Sequence, residues 1–182
     1  MKIEKEMFYK LIAPRPVVLI TTTNLEGHDN AAPFSFIMPI SMNPPIIGVS
    51  IGIERDTLRN ILETKEFVVN IPSAELLEKL WKCSKRLPYG KSEIDEADLS
   101  REKSKIVKPP RIKECLAWIE CSLNSKIDFG DHSFIAANVL LAECRDGVIV
   151  SNALNIEEFD FLQHISGRKF SVPKIIQEVS SG

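Results

Sequence analysis

Three short stretches of this chain carry residue types that could do chemistry. The first is Asn30-Ala31-Ala32-Pro33-Phe34-Ser35-Phe36. Its small residues would let a planar ligand approach the backbone. Pro33 takes part of the main chain out of a regular ladder, and Ser35 offers a hydroxyl to a phosphate or a ring carbonyl. The same residues also read as a turn leading into a strand edge. The second stretch, Arg55-Asp56-Thr57, stands at an expected helix start. Free N–H groups, a cation and a hydroxyl together make an anion site there. Asp56 suits capping better than phosphate contact, and a plain N-cap beside a surface arginine fits the same residues. The third is Gly130-Asp131-His132, where a carboxylate can orient an imidazole towards a substrate. A hairpin turn with a solvated histidine is the alternative.

Absent motifs narrow the chemistry further. There is no G-x-G-x-x-G and no G-x-x-x-x-G-K-[ST], so a nucleotide would bind outside a Rossmann or P-loop crevice. His28, His132 and His164 show no paired spacing, and Cys83, Cys115, Cys121 and Cys144 form no C-x-x-C pair. A dedicated metal site is therefore not expected, and the thiols read as small core residues. A net charge of −2 and a pI near 6.0 argue against a nucleic-acid footprint, but they leave room for a local cationic pocket. No secretory leader is visible, and the longest apolar runs fall well short of the ~18 residues that span a membrane. The expectation is a reduced, cytoplasmic protein.

The elements that must position these residues are mostly strands. The 182 residues, 44% hydrophobic and 26% charged, suit a single folded domain over residues 1–182. Residues 1–11 read as a short helix or arm. Residues 17–23 (VVLITTT), 46–53 (IIGVSIGI) and 66–72 (EFVVNIP) are β-branched strand candidates. Residues 116–127, 133–144 and 147–152 add three more. One helix follows Arg55, with Asp56 or Thr57 as its N-cap, and another runs from Ser73 through Trp81. Residues 91–108 hold ten charges in eighteen positions and read as a solvated excursion with a short helix. His164 to Phe170 reads as a polar turn. Six or seven strands joined mostly by short turns favour a mainly β fold. An antiparallel sheet closing as a barrel fits better than a doubly wound parallel sheet.

Several ordered motifs carry a family resemblance. They are Pro14-Arg15-Pro16 followed by Val17 to Thr22, then Gly27-x-x-Asn30 to Phe36, then Ser41-x-x-Pro44-Pro45. Arg55-Asp56-Thr57-x-x-Asn60-Ile61, Glu66 to Pro72, Glu120-Cys121 and Gly130-Asp131-His132 follow in order. Together they resemble the flavin reductase-like family of FMN-binding split β-barrels, antiparallel and of Greek-key type, which includes the flavoredoxins.

The resemblance implies a homodimer with one FMN per subunit near the interface. It implies that Asn30, Ala31, Ala32, Pro33, Phe34 and Ser35 line the flavin and that Ser41 belongs to the site. Ser50, Arg55 and Thr57 would hold the phosphate. His132 would contact the hydride donor, NADH or NADPH. His164 and Arg168 would sit in a closing turn over the ring. Two departures are visible. Arg55 stands where the family usually has lysine, and residues 134–139 (FIAANV) replace an aliphatic-Gly-Glu-Val strand. The implied activity is reduction of a second flavin or a ferric chelate through FMN. The alternatives are a flavoredoxin-type carrier fed by a redox protein and a non-catalytic flavin-binding protein.

Overall fold

The β-branched runs do form strands, and those over residues 18–23 and 66–71 are covered on both faces. In the computed structural model, which describes residues 1–179, a 3-10 turn at Lys5–Lys10 precedes strands β1 (Arg15–Pro16), β2 (Val18–Thr23), β3 (Asp29–Phe34), β4 (Ile37–Met42) and β5 (Pro45–Gly52). Helix α1 (Asp56–Thr64) and strand β6 (Glu66–Ile71) come next, then α2 (Leu77–Lys82) and α3 (Glu93–Glu96). Short strands β7 (Arg101–Glu102) and β8 (Arg111–Ile112) lead into the long hairpin of β9 (Ala117–Phe129) and β10 (His132–Cys144). Four short strands close the chain: β11 (Ile149–Val150), β12 (Ala153–Leu154), β13 (Gln163–Ser166) and β14 (Lys169–Ser171).

Seven strands make one antiparallel sheet in the order β3-β2-β6-β9-β10-β5-β4. Its two end strands, β3 and β4, are neighbours in sequence but do not pair with each other. Pro33 and Pro39 lie in these edge strands, where a missing N–H costs no ladder bond. The sheet curls on itself. Val18 and Ile20 of β2 share one buried cluster with Val49 and Ile51 of β5, near the opposite end of the strand order, and with Leu58 and Ile61 of α1. The alternate residues, Leu19 of β2 and Val68 of β6, face a second cluster with Leu80, Ile94, Ile112 and Trp118. Burial on both faces explains why β2 and β6 read as continuous apolar runs rather than alternating ones. The architecture is a split barrel, mainly β, with an outer layer over one side.

Several expectations need correction. The charged run at 91–108 is not simply solvated: Ile94, Ala97, Leu99 and Val107 are buried, because apolar residues alternate with the charges. The N-cap of α1 is Arg55, with no side-chain capping bond, while Thr57 turns inward. Ser73 likewise makes no side-chain cap; a 3-10 turn at Ala74–Leu76 precedes α2. The strand expected at 147–152 shortens to β11, paired with β12. The expected polar turn at 164–170 is instead the β13–β14 hairpin, which pairs with β1 in the register Arg15↔His164. Among the described residues, no helix is long and apolar enough to cross a membrane.

Candidate functional site

The split between β3 and β4 opens onto a cleft of about 620 Å³. One wall is Ala32-Pro33-Phe34-Ser35-Phe36, where the chain leaves one edge strand and enters the other. The Phe36 carbonyl accepts from the Ser50 N–H at 2.8 Å, which ties this segment to β5. Ser50 and Gly52 of β5 continue the lining into Ile53, Glu54 and Arg55 at the start of α1.

The β9–β10 hairpin supplies a second lip, next to the end of β5. Gly130, at φ +57°, makes the tight turn. The register His132↔Gly52 then sets His132 beside the end of β5, and the Ile53 N–H donates to the Asp131 carbonyl at 3.1 Å. His132 Nδ1 donates to Asp131 Oδ1 at 2.9 Å, leaving Nε2 without a protein partner among the described residues. The imidazole holds the Asp131 carboxyl below the usual carboxylate range. The His132 and Phe36 rings lie 5.9 Å apart, tilted by 37°.

The third side is β1 with the C-terminal hairpin. Arg15, Tyr9 and His164 line the cleft here. His164 Nε2 donates to the Gly167 carbonyl at 3.1 Å. That bond leaves Nδ1 as an acceptor, 3.2 Å from Ser35 Oγ and 3.4 Å from Arg15 Nη2. An apolar cavity of about 210 Å³, lined by Val17, Leu80, Trp81 and Phe170, adjoins at Ser35 and His164.

A further cavity of about 210 Å³ continues the cleft on the α1 side. It shares Ala32, Glu54, Arg55 and Arg86 with the cleft and adds Thr57, Lys85 and Glu93. Arg86 pairs with Glu54 and Lys85 with Glu96. Arg55 has no carboxylate partner among the described residues, and no side chain caps the first turn of α1. A cation beside free helix N–H groups suits an anion.

The structure gathers Ala32, Pro33, Phe34, Ser35, Ser50, Arg55, His132 and His164 in the large cleft. It places the other expected residues elsewhere. Ala31 is fully buried, and its N–H donates to Glu93 Oε2 at 3.2 Å. Asn30 and Thr57 are buried and bonded to each other, although both border the smaller cavity. Ser41 pairs along β4 opposite Ile46, away from the cleft. Arg168 stacks its guanidinium 5.6 Å from the Trp81 ring centre, outside the cleft.

Three contributors went unassigned in the sequence. Arg15 was visible between two prolines, a pattern that pins it in extended backbone, but nothing local shows which way it faces. Glu93 belongs to the 91–108 run that reads as solvated, and Arg86 lies just before it, between the expected second helix and that run. Burial pushes the Glu93 carboxyl above the usual range, against hydrogen bonds from its own backbone, Ala31 and Asn30 that act to lower it. Among the described residues, no three His, Cys, Asp or Glu side chains gather as a metal cluster.

Residues 11–156 match the family model described as the flavin reductase like domain. An uncharacterized protein of Aquifex aeolicus is 34% identical over 166 residues, covering 88% of this chain and 85% of that protein. Nitrilotriacetate monooxygenase component B from Bacillus cereus superposes with a TM-score of 0.89 at 26% identity, covering 98% of this chain and 95% of its own. The 2-nitrobenzoate 2-nitroreductase of Pseudomonas fluorescens superposes with a TM-score of 0.86 at 25% identity, covering 99% and 93%.

Proposed function

The chain belongs to the flavin reductase-like family, and on that premise we propose that it is an oxidoreductase that holds FMN in the split of its barrel. It would take a hydride from NADH or NADPH and reduce a second flavin, a ferric chelate or a similar acceptor. The carrying observation is Arg55. It is a cation without a carboxylate partner among the described residues, at an uncapped helix start, where the large cleft meets the smaller cavity. A phosphate there would meet Arg55 and the first N–H groups of α1, with Lys85 and Arg86 nearby. A planar ring would extend along Pro33, Phe34 and Ser35 into the larger volume.

FMN supplies the redox chemistry when bound, accepting a hydride and passing on one or two electrons. The chain's own tasks are then to bind, orient and leave one face open. Asp131 fixes the His132 tautomer, so Nε2 points a hydrogen-bonding atom away from the carboxylate. That atom is the contact for the nicotinamide. No protein side chain is asked to act as nucleophile.

The proposal includes a homodimer. The open edge of β4 carries exposed Met38, Ile40 and Met42, and Phe129 lies exposed at the tip of the β9 hairpin. A second copy of the chain would cover this edge. Molar mass from light scattering tests this: a monomer at all concentrations rules it out. Free thiols, three of them buried, fit a cytoplasmic setting.

The deciding experiment is an absorbance spectrum of the purified protein, repeated after anaerobic NADH or NADPH. Flavin bands near ~370 and ~450 nm that bleach with the nucleotide support the reductase. Bands that bleach only with dithionite point to a carrier fed by a protein partner. A colourless protein that ignores added FMN removes the flavin reading.

A further inference from the structure

Arg15 is only 8% exposed, yet no carboxylate pairs with it among the described residues. Its Nη1 donates to the Tyr9 carbonyl at 2.6 Å, and Nη2 lies 3.4 Å from His164 Nδ1. Its Nε is buried with no hydrogen-bond partner among the described residues. The guanidinium carbon sits 5.3 Å from the Phe36 ring centre and 5.9 Å from that of Tyr9. His164 donates through Nε2 to the Gly167 carbonyl and turns Nδ1 towards the Arg15 guanidinium. It orients the guanidinium without neutralising it. The other ionisable groups nearby are the Tyr9 phenol and, beyond Phe36, the Asp131–His132 pair.

Taking an unpaired cation out of water is costly. A cation that no carboxylate neutralises, in the wall of a cleft, favours an anionic or electron-rich ligand atom beside it. Arg15 and Arg55 line the same cleft by different neighbours. His164, the partner of Arg15, and Ser35, which bonds to His164, continue into the apolar cavity, whereas Arg55 continues into the α1-side cavity, whose lining is polar and of mixed charge. One ligand long enough to reach both would place its phosphate on Arg55 and a second charge-bearing edge on Arg15.

We propose that Arg15 is this second receptor: it faces the N1–C2=O edge of the FMN ring and stabilises the negative charge that edge carries after reduction. The inference rests on the FMN reading above. A hydride brings two electrons and one proton to the ring. The nicotinamide leaves as its oxidised cation, and the ring keeps one negative charge. A fixed guanidinium at that edge favours the reduced ring over the oxidised one. His164 acts through Arg15 as a positioning residue.

The test compares Arg15→Gln and Arg15→Lys with the wild-type protein in FMN titrations and in spectroelectrochemical measurement of the bound flavin's midpoint potential. Arg15→Gln is expected to bind reduced FMN at least ~tenfold more weakly relative to oxidised FMN, a fall of about 30 mV for the two-electron couple. Arg15→Lys, which keeps the charge but not the fork, should fall between the two. An unchanged potential in an Arg15→Gln protein that binds FMN overturns the proposal, as does an equal loss of affinity for both redox states. If Arg15→Gln does not fold, nitrogen NMR of isotopically labelled FMN in the wild-type protein decides. N1 of the reduced, bound ring should remain unprotonated at mildly acidic pH, and a protonated N1 overturns the assignment. Wild-type protein that binds no FMN in the same titration overturns the cofactor reading itself, and this inference with it.

Discussion

Thr57 Oγ1 donates to Asn30 Oδ1 at 3.0 Å, joining the first turn of α1 to β3. Asn30 passes the connection on, donating through Nδ2 to Glu93 Oε2 at 2.8 Å. Two residues whose types suit ligand binding thus satisfy each other, behind the wall that Ala32 and Arg55 present to the cleft.

Thr57 and Arg55 should therefore separate in their effects. Thr57→Val leaves the buried Asn30 carbonyl without its donor and should cost about 1–3 kcal/mol of stability, read from urea unfolding. Arg55→Ala is exposed and should leave unfolding nearly unchanged, while weakening FMN by about 1.5–3 kcal/mol, the scale of a charged hydrogen bond. A Thr57→Val protein of normal stability that loses FMN would return Thr57 to the ligand.

His132→Ala should retain FMN, because the His132 side chain bonds only to Asp131 and, among the described residues, to neither Arg55 nor the Pro33–Ser35 wall. Its nicotinamide-driven reduction rate should fall by about 10-fold or more, within the range for a positioned imidazole. Stopped-flow reduction with NADH and NADPH reads this directly. Full turnover without the imidazole would show that Asp131-His132 is only a hairpin turn.

Glu93 sets a pH dependence of one sign. Burial raises its folded pKa above the unfolded value, so its favourable contribution exists below the unfolded pKa and is lost as pH rises through the folded one. Above that window burial of the carboxylate destabilises the fold. Glu93→Gln can still accept from Asn30 and Ala31, so it should be more stable than wild type at neutral pH. The gap should shrink on acidification. A gap constant from about pH 4 to about pH 8 would mean that Glu93 does not titrate in this way.

Glu120 sets the opposite sign. Burial acts to raise its pKa, but the N–H groups of Lys105, Ile106 and Val107 and the Arg111 guanidinium overcome that and hold it below the usual range. Its contribution is present above the unfolded pKa and is lost as pH falls through the folded value. Arg111→Met removes the partner of a fully buried carboxylate and should cost about 3–5 kcal/mol. Equal acid sensitivity in wild type and Glu120→Gln would show that other carboxylates govern acid unfolding.

Much of the barrel was legible in the sequence. Strands β2, β5 and β6 announce themselves as β-branched runs, and Gly130-Asp131-His132 marks the turn of the long hairpin, because strand and turn preferences act over a few neighbouring residues. The charged run at 91–108 misled for the same reason: counting charges hides the alternate positions that reach the core.

The sequence by itself determined the kind of fold, a cation at the start of α1 and the presence of an imidazole beside a carboxylate. Only the tertiary structure decided which polar groups meet. Arg15 finds His164 across 149 positions, and Asn30 finds Glu93 across 63. Those meetings depend on sheet register and on how far the sheet curls, and both are set by packing summed over the whole core. No local pattern around Arg15 or Asn30 carries that information.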